Sequence, residues 1–367
     1  MGILRIWLAF SVINAHTNAF SSGFLSGSQA VQVFFLLSGF LISFIQKYNS
    51  KYLNYRVFIA NRFARIYSGY WVCIIVVVLL SFDTYFKNFK EANFSIPLII
   101  LLLSSNLFIF GADFTLFLSQ SGNALGIIFN SNFLTDSQPL YRFLISPPSW
   151  SLPLELIFYC IAPLMLRRKI LLLVGIVSLV IRIALLIHFG VRDPWDYRFF
   201  PSELLFFLCG ILSYYIYEKI KASKHLKNRA FLLTMVFCIY ALLSHQRFKA
   251  MVNSILGPAV GQEALLMLII SFSIFAVPIL FHYFRDSSID RLIGEYSYPV
   301  YLLHHGVIIF LTQNQINHNL YVVSGITCAV TYVLTRPLRR SEKYLRSCFE
   351  KLFTLGNGNY GKFGRND

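Results

Sequence analysis

The chain has 367 residues, of which 56% are hydrophobic and only 13% are charged. Its apolar runs repeatedly approach the roughly twenty residues that a helix needs to cross a bilayer, so the composition excludes an ordinary soluble protein and indicates a polytopic membrane protein. The net charge of +16 would suit nucleic acid only if the basic residues clustered on a soluble domain, and we identify no such domain. Membrane topology explains the charge better.

The first predicted span covers residues 3–19 and contains Arg5 and His16. Eleven residues make about three helical turns, so the two side chains project about 20° apart and lie roughly 16 Å apart along the axis. Ionisable groups inside a membrane avoid lipid, and we expect both to face a polar cavity. The alternative is that His16 is an interfacial histidine and Arg5 a cytoplasmic anchor. We expect the run to be a retained span and not a cleaved signal peptide, because it lacks a small-residue cleavage site.

A second span covers residues 29–45 and is followed by a segment whose only charges are basic, between Lys47 and Arg65. The positive-inside rule places this segment, and with it the N-terminus, in the cytoplasm. The third span is 66–82. Residues 95–132 begin as an apolar run and are then broken by Gly, Asn and Asp, a texture typical of a re-entrant or interfacial segment. The next span, 150–166, ends in Arg167, Arg168 and Lys169, so residues 95–132 must cross zero or two times.

The later spans alternate in the same way, at 170–189, 201–217, 230–244, 264–283, 297–311 and 321–335. Without a crossing in 95–132, the sequence predicts an all-α transmembrane bundle of about ten spans with both termini in the cytoplasm. We divide the chain into a membrane domain, residues 1–346, and a short basic tail, residues 347–367, which we expect to be disordered. The six cysteines have no disulfide or metal-ligand spacing, so we predict no metal site.

Two arginines, Arg62 and Arg65, stand three residues apart at the cytoplasmic mouth of the third span, and this spacing puts both guanidiniums on one helical face. Such a pair is favoured when a polyanion bridges the two, because each guanidinium presents a planar fork to phosphate oxygens. The alternative is that the pair only fixes orientation in the membrane.

Three further groups could take part in chemistry. Ser38 and Gly39 interrupt a bulky span, which indicates close helix packing; a nucleophilic serine would need a nearby base. Glu155 lies about one turn inside its span on the same face as Tyr159, and a carboxylate partner could orient the ring of His16. Tyr301 and His304 share a face near the end of the chain, and a membrane histidine such as His305 is more often a helix-helix hydrogen bond than a catalyst.

Taken in chain order, these motifs resemble the acyltransferase family 3 membrane proteins, which acylate bacterial surface polysaccharides. The matches are Arg5 with His16, the FFLLSGF stretch at 34–40, Arg62 with Arg65, the WSL motif at 150–152 with Glu155, the Tyr301 to His304 motif, and Arg336 with Pro337. Ser68 departs from the family's usual proline, and Thr335 from its glutamate. No esterase-like domain follows the membrane part, so the acceptor would be handled by the bundle, a second copy or a glycan-assembly partner.

The resemblance implies that acyl-CoA, most commonly acetyl-CoA, is the donor and is used from the cytoplasm. The acceptor would be a hydroxyl of a surface polysaccharide or lipid-linked sugar outside the bacterial inner membrane. His16, Arg5 and Glu155 are the candidate catalytic residues; His16 would act as general base or carry the acyl group, and Arg5 would stabilise negative charge. Arg62, Arg65, Ser38, Tyr301 and His304 are the candidate donor-binding residues. The rival hypothesis is a carrier or flippase for a lipid-linked glycan, against which stands the lack of a visible inverted repeat.

Overall fold

The structure is a computed structural model that describes residues 1–91, 94–121, 124–127, 139–222 and 228–355. This part of the chain is predominantly helical, which confirms the predicted all-α membrane bundle. The helices are α1 (Gly2–Thr17), α2 (Gly27–Tyr48), α3 (Tyr55–Glu91), α4 (Ile96–Phe108), α5 (Ser151–Met165), α6 (Arg168–Phe189), α7 (Phe200–Ile220), α8 (Arg229–Ser244), α9 (Gln246–Leu256), α10 (Pro258–Phe284), α11 (Ser288–Gln313) and α12 (Leu320–Leu355).

Every predicted span coincides with a helix, but helix lengths differ from the span lengths. Among the described residues, five helices are long and apolar enough to cross a membrane, and a sixth span results if α8 and α9, bent by 57°, are counted together. Helices α1 and α5 have 16 and 15 residues, short for the hydrocarbon core. The count of ten spans and the cytoplasmic termini therefore remain predictions.

Helices α2 and α7 pack closely against each other where they cross. A Cβ atom on Gly39 would lie 2.0 Å from the carbonyl oxygen of Phe207, and one on Gly210 would lie 2.0 Å from that of Leu36. Small residues at such a crossing let the backbones touch and gain van der Waals contact where lipid offers no hydrophobic driving force. The predicted packing role of the Ser38-Gly39 pair is thus confirmed for the glycine.

The first part of the 95–132 region forms a half-helix that enters the bundle and turns back. The backbone carbonyls at the C-terminal end of α4 accept hydrogen bonds from side chains near the middle of α3: Asn106 from Tyr70 at 2.6 Å, Leu107 from Trp71 at 3.0 Å, and Phe108 from Tyr67. A helix end at membrane depth needs such partners, because no water satisfies its carbonyls there.

From this depth the chain returns to the side from which α4 started. The ring of Phe117 packs 5.0 Å from that of Trp195, in the connection between α6 and α7 that the predicted topology places outside. Two short antiparallel strands follow, β1 (Leu118–Ser121) and β2 (Ala124–Ile127). This path favours the zero-crossing interpretation; residues 122–123 and 128–132 lie outside the described residues.

The C-terminal helix extends into the predicted tail, and the domain boundary itself stays a prediction. Helix α12 continues to Leu355, nine residues beyond the boundary placed at residue 346, so the first part of the predicted tail is helical. The run from Arg336 onward alternates basic and apolar residues at helical spacing, which lets a helix continue past the membrane. Residues 356–367 lie outside the described residues.

Candidate active site

The two ends of the bundle are called inner and outer here, after the side that the positive-inside rule predicts for each. At the inner end lies a cavity of about 430 Å³, a size typical of small-molecule sites. It is bounded by α1, α2, α3, α5, α10, α11 and α12. On α11 its lining includes Tyr298 and Pro299. The ring of Tyr298 packs directly over Gly69, where a Cβ atom would lie only 2.4 Å away, and its hydroxyl donates to the carbonyl oxygen of Ile66 at 2.9 Å. This packing fixes Tyr298 against α3 at the cavity wall.

Six arginines line this cavity, and three of them are candidate residues from the sequence: Arg5 from α1, and Arg62 and Arg65 from α3. Arg62 is only 5% exposed. Its Cζ lies 5.8 Å above the ring of Tyr52, and its Nε is buried without a hydrogen-bond partner. Within the described part of the chain none of the three arginines forms an ion pair. Arg62 is buried, Arg5 is half-buried and Arg65 is exposed. The unpaired buried charge of Arg62 is costly, which favours an anion at this position.

Four carboxylates line the cavity, those of Glu155, Asp290, Glu295 and Glu342. The last three form ion pairs with the N-terminus, Arg339 and Arg346 respectively, which leaves Glu155. It accepts a hydrogen bond from Ser38 Oγ at 2.7 Å and another from the hydroxyl of Tyr159. The Tyr159 contact reproduces the spacing noted in the sequence. Glu155 also lies within electrostatic range of Arg5. The structure therefore places Glu155 with Ser38 and the arginines, and it does not pair this carboxylate with His16.

The outer end of the bundle holds a second polar cluster, made of three histidines. The ring of His16 lies 5.2 Å from that of His304 and 5.8 Å from that of His305, measured between ring centroids. His304 is fully buried, whereas His16 at the end of α1 is exposed. A ligand that approaches the outer cluster therefore meets His16 before His304.

The expected common cavity for Arg5 and His16 is not what the structure forms. Arg5 lines the inner cavity and His16 does not. Between them the shared face of α1 carries Ala9 and Val12, which are 0% and 4% exposed. The two polar groups lie on one helical stripe, as predicted, but packed side chains separate them.

Tyr301 lies between the two polar regions and does not line the inner cavity. Its hydroxyl donates to the carbonyl oxygen of Pro148 at 2.8 Å and lies 3.0 Å from Ser151 Oγ, and its ring packs 6.1 Å from that of Phe34. On α11, Pro299 lines the inner cavity and His304 follows five residues later, an axial rise of about 7.5 Å. A single layer of side chains therefore separates the regions.

Two residues at the outer end, His305 and Arg198, were not identified as site residues from the sequence. His305 joins the histidine cluster, although its sequence neighbourhood gave no signal beyond the repeated histidine. Arg198 lies between the rings of Trp150 and Tyr197, at 4.5 and 4.4 Å from their centroids, and pairs with Asp193. Only folding brings Arg198 to Trp150, on the segment before α5.

Burial, and then the neighbouring Asp193 carboxylate, raise the pKa of Asp196 in the same loop to about 7. Among the described residues no group of three or more His, Cys, Asp or Glu side chains is arranged to hold a metal ion, and this includes the three outer histidines. The polar groups available for chemistry thus include guanidiniums and the Glu155 carboxylate at the inner end, and imidazoles at the outer end.

The architecture is that of a multi-pass membrane protein with an arginine-lined cavity at one end and an imidazole cluster at the other. A family model for an acyltransferase domain, that of acyltransferase family 3, matches residues 1–336. Because the match covers most of the chain, the protein belongs to this family of membrane acyltransferases. Comparison with curated proteins and with solved structures gave no match.

Proposed function

We propose that this membrane acyltransferase moves an acyl group, acetyl being the family's commonest, from cytoplasmic acyl-CoA to a hydroxyl outside the bacterial inner membrane. The acceptor is a surface polysaccharide or a lipid-linked sugar. The observation that supports this most directly is the inner cavity, where Arg5, Arg62 and Arg65 converge without a carboxylate ion pair in the described part of the chain.

CoA presents its phosphates to such a cavity as bidentate acceptors. Arginine is suited to this task, because its fixed fork of donors matches phosphate oxygens and keeps its charge when desolvated. In this proposal Arg62 and Arg65 hold the phosphates, and Arg5 attracts the anionic donor from deeper in the cavity. Ser38 keeps Glu155 hydrogen-bonded, which offsets the cost of a carboxylate close to the donor.

The reactive thioester has to travel from this cavity to the outer histidines. The pantetheine arm has a backbone equivalent to about four residues of extended chain, on the order of 14 Å. The layer that contains Tyr301 is about 7.5 Å thick along α11. The arm is therefore longer than this layer. Because Arg5 and His16 lie roughly 16 Å apart along α1, the arginine side chains must also reach toward the layer, and the side chains of the layer must move aside, for the thioester to lie beside His16 while the phosphates stay on the arginines.

At the outer cluster the acceptor hydroxyl attacks the acyl carbon and CoA leaves as the thiol. His16, the exposed member, takes the proton of the hydroxyl or receives the acyl group before passing it on. Arg5 stays at the inner end in this scheme, so its contribution is to donor binding more than to charge at the reacting carbon.

The test is acyl transfer by the purified protein in nanodiscs. Isotope-labelled acetyl-CoA is the donor, and surface glycan from the bacterium that makes the protein is the acceptor. We expect label on the glycan, detected as the mass of one acetyl group per modified sugar, and loss of label with His16→Ala protein that still folds and inserts. A flippase would instead move lipid-linked glycan without consuming acetyl-CoA. Wild-type protein that leaves the glycan unlabelled and translocates the precursor would refute the proposal.

A further inference from the structure

The two ring nitrogens of His304 have different surroundings. Nδ1 lies 2.7 Å from the backbone carbonyl oxygen of Tyr301, one turn back on α11. A carbonyl oxygen can only accept, so Nδ1 carries the hydrogen of the neutral ring and Nε2 carries the lone pair. Nε2 is buried and has no hydrogen-bond partner among the described residues. The helix backbone thus fixes the tautomer and leaves a basic nitrogen unused.

Burying such an acceptor without a partner costs about 1–3 kcal/mol. The ring that bears this unsatisfied nitrogen lies next to His16, the exposed histidine of the cluster. The ring centroids of His16 and His304 are 5.2 Å apart. His16 has no hydrogen bond in the described part of the chain that would select its tautomer. Of the two histidines, His304 is the one whose lone pair is fixed in advance.

We propose that His304 is the general base of the acyl transfer and that its Nε2 receives the proton of the acceptor hydroxyl next to His16. The inference rests on the proposed function and assigns within it the role that the sequence left open for His16. The Tyr301 backbone then acts as the group that orients the base, a part that a carboxylate plays in many histidine-dependent enzymes. His16 holds the hydroxyl in place or carries the acyl group.

The step balances as follows. The hydroxyl O–H bond breaks and its proton moves to His304 Nε2, while the hydroxyl oxygen forms a bond to the acyl carbon. The C–S bond of the thioester then breaks, and the sulfur takes the proton from His304. The products are the acyl ester and CoA thiol, and His304 returns to its neutral form. If His16 carries the acyl group, its ring nitrogen first attacks the acyl carbon, the C–S bond breaks and the sulfur takes the proton of the other ring nitrogen of His16. The hydroxyl then attacks the acyl carbon and gives its proton to His304, the C–N bond to His16 breaks, and His304 passes the proton to the His16 ring.

The ionisable groups that act on His304 come from two helices and one loop. His16 approaches from α1, and Tyr301 and His305 lie on α11 itself. Arg198, in the loop before α7, acts electrostatically on His16 and Tyr301. The nearest groups are thus imidazoles, a phenol and a guanidinium, so the pH dependence of the rate should follow the imidazoles.

The experiment compares His304→Asn with wild type in the nanodisc assay, across a pH series and with saturating acetyl-CoA. Asparagine can place its amide nitrogen near the position of Nδ1 and still donate to the Tyr301 carbonyl, but it has nothing at Nε2. We expect kcat to fall by about 10²-fold or more, the rise of kcat with pH to disappear, and the affinity for acetyl-CoA to stay unchanged. His304→Gln is the second variant should the asparagine variant fail to insert.

His318→Asn is the matched control, because this histidine is exposed in the outer loop before α12, and its rate and pH profile should equal those of wild type. His305→Asn should keep the rise with pH, since no backbone carbonyl fixes its lone pair. An active, normally pH-dependent His304→Asn protein would overturn the proposal, as would loss of the pH dependence in His305→Asn alone. Absence of transfer by wild type would instead refute the proposed function itself.

Discussion

Replacing Arg62 by methionine tests the arginine cavity, because the change keeps an unbranched side chain and removes one charge. In the ligand-free protein Arg62 leaves its Nε unsatisfied and lies close to the like charge of Arg65. The unsatisfied donor costs about 1–3 kcal/mol, whereas the contact with the ring of Tyr52 returns about 0.5–2 kcal/mol. We therefore expect Arg62→Met protein to be as stable as wild type without ligand, or more stable.

Although Arg62→Met should not lower stability, it should weaken the binding of acetyl-CoA. A charge-assisted hydrogen bond from Arg62 to a phosphate contributes about 1.5–3 kcal/mol. At about 1.4 kcal/mol per factor of ten, its loss weakens acetyl-CoA binding by about 10- to 140-fold. The affinity for acetyl-CoA is measured by isothermal titration calorimetry in nanodiscs at two salt concentrations. The affinity of the variant should depend less on salt than that of wild type, because the variant has one charge fewer.

Two controls make this measurement specific. Arg247→Gln removes an exposed arginine from α9, outside the lining of the inner cavity, and should leave acetyl-CoA binding unchanged. Pantetheine lacks the nucleotide and its phosphates, so its binding should be insensitive to Arg62→Met. Wild-type affinity of the variant for acetyl-CoA, or an equal loss for pantetheine, would refute the assignment of this cavity to the donor phosphates.

Three further predictions concern other parts of the molecule. Gly39→Ala should lower the unfolding temperature and the yield of inserted protein, because its Cβ would meet the Phe207 carbonyl oxygen at 2.0 Å and overpacking costs about 1–3 kcal/mol; normal stability would contradict the close crossing. Asp196 has a pKa raised to about 7 from about 3.9 in the unfolded chain, so the stabilisation from its protonation is lost as pH rises between these values. Asp196→Asn should therefore unfold at a higher temperature than wild type at pH 8 and show a smaller advantage at pH 5, as measured by thermal melts. In a cysteine-free background, Ser95→Cys and Ser119→Cys should both react with a membrane-impermeant thiol reagent from outside, and labelling from opposite sides would contradict the re-entrant path.

The helical bundle could be predicted from the sequence because membrane helices are specified locally. A run of apolar residues must satisfy its own backbone in lipid and so forms a helix whatever its neighbours are. The basic segment from Lys47 to Arg65 sets an orientation that needs no tertiary contact. Helix α4 was predicted as an apolar run at the start of a re-entrant or interfacial segment; the place where this helix ends could not be predicted, since it depends on three donors from α3.

The candidate site also has contacts that the sequence predicted and contacts that only the fold creates. The grouping of Arg62 with Arg65, and of Glu155 with Tyr159, follows from helical spacing and is found in the structure. The hydrogen bond from Ser38 to Glu155 joins residues 117 positions apart, and no spacing rule could indicate it. Its consequence is that Glu155 belongs to the inner cavity and not to His16, the partner that sequence reasoning considered.

The sequence by itself determined the membrane helices, the basic inner side and the polar stripe of α1, because each depends on hydrophobicity or charge within one segment. Only the tertiary structure decided that the two ends of this stripe serve different polar regions. Side chains from α2 and α11 pack against the stretch of α1 between Arg5 and His16, and the packing of separate helices is a long-range outcome that one helix cannot encode. The same packing brings His304 to His16, so the histidine cluster is also a product of the fold.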